Sequence, residues 1–103
     1  MKKLLYVFLI SLLFSANSCK PNDKDLLKSG LAKYALKDYK GAIIDYNKAL
    51  ELNPKSVEIY FNRGKAKHEL DDNKGAILDY AKAIELNPNY AEAYCYRGRT
   101  KEN

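Results

Sequence analysis

The chain has 103 residues, a formal net charge of +5 and an apolar content of 47%. That length holds one ordinary domain at most, and that apolar share is too high for a disordered chain. The charge is too mild, and the basic residues too scattered, for a nucleic-acid-binding surface.

The N-terminus opens with Met1-Lys2-Lys3 and then runs apolar from Leu4 to Ala16, broken only by Ser11 and Ser15. A membrane-crossing helix needs about 20 apolar residues, because it rises about 1.5 Å per residue through a core about 30 Å thick. Two lysines ahead of a shorter apolar run instead fit a secretory signal, so residues 1–18 are expected to be a signal peptide. The segment ends Ala16-Asn17-Ser18-Cys19. It resembles the lipobox at which bacterial lipoproteins are cut and acylated; Ser18 and Cys19 fit that pattern, while Ala16 and Asn17 depart from its commoner residues. The resemblance implies lipidation of Cys19, with ordinary cleavage nearby and a free Cys19 thiol as the alternative. Two or more acyl chains would hold the protein on a membrane without a spanning helix, each buried methylene contributing about 0.8 kcal/mol. Lys20, by resemblance to enteric lipoproteins, favours an outer-membrane over an inner-membrane address. Loss of residues 1–18 would remove Lys2 and Lys3 and lower the charge from +5 to +3. With Cys19 blocked, Cys95 would stand alone, and no internal disulfide is available.

Residues 19–25 read as the lipidated cysteine followed by a short polar tether, and residues 26–103 as the folded domain. Within it the chain repeats itself: residues 23–56 fall on residues 57–90 with a constant offset of 34, as Gly30 to Gly64 and Pro54 to Pro88 show. Lys40-Gly41-Ala42-Ile43 meets Lys74-Gly75-Ala76-Ile77, Asp45-Tyr46 meets Asp79-Tyr80, and Glu51-Leu52-Asn53-Pro54 meets Glu85-Leu86-Asn87-Pro88. A partial third unit covers residues 91–103, with Gly98 again 34 beyond Gly64. Ala42, Tyr46, Ala49 and Leu50, and their counterparts Ala76, Tyr80, Ala83 and Ile84, recur at three- and four-residue steps, the stripe of a half-buried helix. Pro54 and Pro88 lack the N–H that would continue a helix and disfavour helical geometry in the Asn before them, so these helices are expected to end near Leu52 and Leu86. A mid-helix glycine costs about 0.5–1 kcal/mol relative to alanine. Its recurrence at Gly30, Gly64 and Gly98 therefore asks for close contact between helices.

The period and these residues resemble the tetratricopeptide repeat family. The second unit has that family's small residues at Gly64, Ala76 and Ala83, its aromatic at Tyr80 and its proline at Pro88. Leu26 and Asn73 depart from aromatic positions, which predicts locally weaker packing. The resemblance implies an all-α fold of helix–turn–helix repeats stacked as a short right-handed solenoid. It also implies a concave surface, lined by the first helix of each pair, that holds a protein or peptide. Carried over position by position, the candidate lining is Leu27, Leu31 and Tyr34, then Phe61, Asn62, Lys65 and His68, then Cys95, Tyr96 and Arg99. Relatives that clamp a C-terminal carboxylate place Lys, Asn and Arg at positions occupied here by Leu27, Leu31, Asn62, Glu92 and Tyr96. Only Asn62 matches, so this is not read as a carboxylate clamp.

Nothing in the residues calls for a catalyst, cofactor or metal. His68 has no Cys or second His within ligand spacing and reads as a solvated or groove-edge residue. Cys95 has no evident basic partner and reads as a small packing residue. Asp71-Asp72-Asn73 reads as an inter-helix loop lacking the calcium-loop ligand pattern. The expected function is a lipid-tethered adaptor or scaffold for an unknown protein partner. The alternatives are a self-associating assembly component, using the helix that starts at Ala91, or the N-terminal fragment of a longer repeat array.

Overall fold

The computed structural model describes residues 20–102; the expected signal peptide and Cys19 lie outside them. The described residues form five helices, α1 (Asp23–Ala35), α2 (Tyr39–Leu52), α3 (Val57–Glu69), α4 (Asn73–Leu86) and α5 (Ala91–Glu102), and contain no strand. None is long and apolar enough to cross a membrane.

The first four helices each start at a side-chain cap that satisfies an otherwise unpaired backbone N–H. Asn22 accepts from the Asp25 N–H at 2.8 Å while Asp25 accepts from the Asn22 N–H at 3.3 Å, a reciprocal capping box. That box draws Asp23, Lys24 and Asp25, expected outside the folded domain, into α1. Asp38 and Asp72 accept from the Gly41 and Gly75 N–H groups, each at 3.0 Å, and Ser56 caps α3 through the Ile59 N–H. The helices of a pair are joined by a turn in which Lys37 and Asp71 take left-handed φ angles of 65° and 64°. There the Asp38 N–H donates back to the Lys33 carbonyl at 2.8 Å and the Asp72 N–H to the Lys67 carbonyl at 2.9 Å, closing each first helix. The second helices end at Leu52 and Leu86, ahead of the prolines.

Each helix packs against the next along the chain, and α1, α3 and α5 touch one another only lightly. The result is stacked helical pairs. One core gathers Ala42, Tyr46, Ala49, Leu50, Ile59 and Ala66; the next gathers Phe61, Ala76, Tyr80, Ala83 and Ala93. α2 fills the space between α1 and α3, and α4 the space between α3 and α5. Gly30 and Gly64 make this possible. The Tyr46 ring lies where a Gly30 Cβ would stand, and Tyr80 Cε1 would be 2.6 Å from one on Gly64. Gly98 differs from what its spacing predicted: nothing lies within 4 Å of its Cβ position, because no second helix faces it among the described residues.

Candidate functional site

The first helices α1, α3 and α5 stand side by side, and one side chain bridges all three. The Lys65 ammonium on α3 lies 5.3 Å from the ring centre of Tyr34 on α1, 5.5 Å from Phe61 on its own helix and 5.5 Å from Tyr96 on α5. A cation over an aromatic face contributes about 0.5–1 kcal/mol when exposed and about 2 when desolvated. Lys65 is half-buried, so the contacts fix its position while leaving the ammonium reachable. Phe61 anchors the cluster edge-on to Tyr96 and Tyr90, both at 5.2 Å. Arg99 extends it, its guanidinium 5.6 Å from the Tyr96 ring. Burial, and then the charge of Glu69, pushes the Tyr34 phenol up to about 12, so its ring stays neutral beside the lysine.

The structure thus brings Tyr34, Phe61, Lys65, Tyr96 and Arg99 together. Phe61 belongs to the core more than to the surface, being 4% exposed. Leu27 packs half-buried against the first core, and Leu31 is exposed. Asn62 turns its amide onto its own helix, donating to the Glu58 carbonyl at 2.9 Å. His68 is part-buried and not free: Nδ1 lies 3.1 Å from Asn73 Oδ1 and 3.4 Å from Thr100 Oγ1, joining α3, α4 and α5. Cys95 is exposed, which corrects its reading as a packing residue; at its register α5 turns its small buried side to the core through Ala93 and Thr100 instead.

A second set of polar contacts was not read from the sequence. Asp45 and Asp79 are buried beside the core tyrosines. Asp45 accepts from Ser29 at 2.6 Å and pairs with Lys33 at 3.0 Å. Asp79 takes Arg63 in a two-pronged contact, Nε at 2.8 Å and Nη2 at 2.7 Å, and Lys67 at 3.1 Å. Burial alone would raise the Asp45 carboxyl, but Ser29 and Lys33 outweigh it and hold its pKa below the usual value. The Asp79 hydrogen bonds, against burial, raise Arg63 above its ordinary range. These contacts lock each first helix onto its second and so fix where the bridged face stands.

Among the described residues no cluster of His, Cys, Asp or Glu could hold a metal. Residues 30–71, and again 64–102, match the family model for the TPR repeat. A comparison with curated proteins finds no match. Among solved structures, the chain is similar to the first TPR of Spaghetti (RPAP3) bound to an HSP90 peptide, at 28% identity and TM-score 0.76, over 78% of this chain and 64% of that one. It is similar to MamA at 30% identity and TM-score 0.79, over 85% of this chain and 52% of MamA. It is also similar to the TPR2B domain of yeast Sti1, in complex with Hsp70, at 26% identity and TM-score 0.75, over 77% and 63%. The chain therefore spans between about half and two thirds of these three.

Proposed function

This chain belongs to the tetratricopeptide repeat family, and on that premise we propose that it is a protein-interaction module, tethered to the bacterial envelope through Cys19, that grips a peptide segment of its partner across α1, α3 and α5. The observation that carries the reading is Lys65, a half-buried cation set among rings from three separate helices. Such a group offers a carboxylate side chain an ion pair at the centre of an aromatic surface, with Arg99 one step further along. Spaghetti and Sti1, whose solved TPR domains hold HSP90 and Hsp70 ligands, support a peptide as the partner's contribution. The end of that peptide is not what is read: Leu27 and Leu31 offer no hydrogen bond, and Glu92 would repel a terminal carboxylate.

The test is a displayed library of random peptides selected on the full chain. Selected peptides are expected to carry an internal Asp or Glu flanked by apolar residues, and to bind at least about tenfold more weakly to Lys65→Glu, as loss of a central anchor costs about 2 kcal/mol or more. Equal binding to that variant and to Tyr96→Ala would overturn the reading.

The tether rests on the signal-like residues 1–18 and the lipobox at Ser18-Cys19, and the outer membrane is the favoured address because Lys20 follows the cysteine. Cys19→Ser is expected to release the protein from the membrane fraction. Continued sedimentation with membranes would sink the anchor.

A further inference from the structure

Helices α2 and α4 differ sharply between their two sides. Inward, the acids Asp45 and Asp79 are buried and paired with cations of α1 and α3. Outward, α2 carries Lys40, Ile44 and Lys48 at steps of four, and α4 repeats them 34 residues on as Lys74, Leu78 and Lys82. Ile44 is 54% exposed and Leu78 70%, and both lie outside the two cores. Among the described residues Lys40, Lys48 and Lys74 pair with no carboxylate. Lys82 takes Glu85 at 3.5 Å, and Glu51 is the one other acid on these crests. The outward charge is therefore positive.

The two crests stand apart. α1 and α3 touch lightly, as do α3 and α5, but α2 and α4 do not touch, so theirs is the splayed, outer side of the stack. Arg63 spans the gap between them, donating to Asn47 on α2 at 2.9 Å and to Asp79 on α4 at 2.7 Å. The valley is thus floored by a polar network, and the apolar groups lie on the crests instead. Helices stacked against α5 would lengthen this side and leave the crests of α2 and α4 bare. An apolar side chain between lysines, repeated on two parallel crests, suits a flat anionic surface. The apolar groups can enter the headgroup boundary while the lysine stems lie along it and their ammonium groups meet phosphates.

We infer that the outer face of α2 and α4 lies down on anionic phospholipid, the surface of the membrane to which Cys19 tethers the chain; the inference rests on that tether. The reach is sufficient. From Cys19 to Asp23 an extended chain spans at most about 14 Å. Asn53, just past the end of α2, donates to the Asp23 carboxylate at 3.1 Å, so the tether leaves the fold beside one end of the α2 crest. Anchoring there holds the lysines within the short range over which a charged bilayer attracts them. In this posture the first helices, with Lys65 among its rings, face away from the lipid and toward the partner.

The test places a polarity-sensitive fluorophore on the acylated full chain, reconstituted in vesicles of phosphatidylglycerol or of neutral phosphatidylcholine. Leu78→Cys with Cys95→Ser puts the one free thiol on the α4 crest; the original chain carries it at Cys95, on a helix outside this face. Emission from residue 78 is expected to rise and shift to the blue on phosphatidylglycerol only, while the label at Cys95 stays unchanged on both lipids. Salt of about 1 M, where charges are screened within about 3 Å, should reverse the rise. Lys48→Glu with Lys74→Glu should lower the ratio of docked to undocked chain at least about fivefold per reversed charge, with far-UV circular dichroism unchanged and the protein still floating with the vesicles. A silent label at residue 78 on phosphatidylglycerol vesicles that hold the protein would overturn the proposal. So would a rise indifferent to the double charge reversal. A rise that needs no vesicles and grows with protein concentration would also overturn it, giving the face to a second copy. Failure to float with phosphatidylcholine vesicles would strike the tether, and this docking with it, so the two failures are read separately.

Discussion

The two complete helix pairs solve one packing problem with partly different chemistry. At three matched places they can be compared atom by atom. The glycine under the tyrosine ring is identical in both, Gly30 under Tyr46 and Gly64 under Tyr80. The buried aspartate is kept, but its partners change from Ser29 and Lys33 to Arg63 and Lys67. The contact at the head of the second helix changes altogether. Tyr34 meets Tyr39 edge-on at 5.2 Å in the first pair, whereas His68 meets Asn73 by a 3.1 Å hydrogen bond in the second. Shape at the helix crossing admits one solution; charge and hydrogen bonding around it admit several, with one partner exchanged around the aspartate and both exchanged at the head of the second helix.

The sharpest way to break the likeness is to remove the aspartates. Asp79→Ala strands a guanidinium and an ammonium that are only 19% and 22% exposed, and is expected to cost about 3 kcal/mol, in the range for a broken buried pair. Asp45→Ala frees a hydroxyl and a lysine whose side chain is 40% exposed, so about 1–2 kcal/mol is expected, near the cost of an ordinary lost hydrogen bond. Urea unfolding of the two variants measures the difference. Equal losses would mean that the second guanidinium contact adds nothing.

Glycine tests the shared part. Helix propensity alone makes Gly→Ala stabilising by about 0.5–1 kcal/mol. At Gly30 and Gly64 a Cβ would run into a tyrosine ring that has no room to move, and overpacking of about 1–3 kcal/mol should win. At Gly98 the space is open, and the propensity gain should show undiminished. Thermal melts are therefore expected to fall, fall and rise for Gly30→Ala, Gly64→Ala and Gly98→Ala. A rise at all three would remove the close approach as the reason for the first two glycines.

Much of this was legible in the sequence for a physical reason: packing at a helix crossing depends on side-chain size, and size repeats visibly. Gly30 and Gly64, Ala42 and Ala76, and Tyr46 and Tyr80 announce themselves by their common offset. The proline stops placed the ends of α2 and α4 at Leu52 and Leu86. What escaped was the pairing of charge. Arg63 and Lys67 look like ordinary solvated residues of an amphipathic helix, and only the aspartate beside each core tyrosine, in both units, hinted that they have a buried partner. Asn73 escaped for a related reason. Read alone it is a lost aromatic, and only with His68 beside it does it become a different contact. The family likeness also led to Tyr34, Lys65, Tyr96 and Arg99, which the structure places in one cluster. Asn62 Nδ2 and His68 Nδ1 find partners within the fold, which no periodicity shows.

Acid separates the first pair from its surroundings more gently. The Asp45 carboxyl is held below its unfolded-state pKa of about 4. Its stabilising effect is therefore complete above that value and disappears as pH falls through the lower, folded-state one. The melting-temperature gap between the original chain and Asp45→Asn is expected to be constant from pH 7 to about pH 5 and to close below about pH 4. A gap unchanged at low pH would mean that the carboxylate charge is not what Ser29 and Lys33 hold.

The smallest effect is expected at the tyrosine hydroxyls, and it is informative because of its size. Tyr46 and Tyr80 are fully buried, and neither hydroxyl makes a hydrogen bond of good geometry among the described residues. Burial accordingly pushes the Tyr46 phenol up to about 12 and the Tyr80 phenol higher still. An unpaired buried hydroxyl costs about 1–3 kcal/mol of lost hydration. Tyr→Phe removes that cost and keeps the ring that Gly30 or Gly64 makes room for. Tyr46→Phe is expected to be neutral or stabilising by up to about 1 kcal/mol. Tyr80→Phe is expected to behave alike, since its hydroxyl is buried without a partner as well. A loss above about 1 kcal/mol in either variant would reveal a hydroxyl partner, an ordered water foremost, and would move tyrosine from a requirement of shape to one of hydrogen bonding.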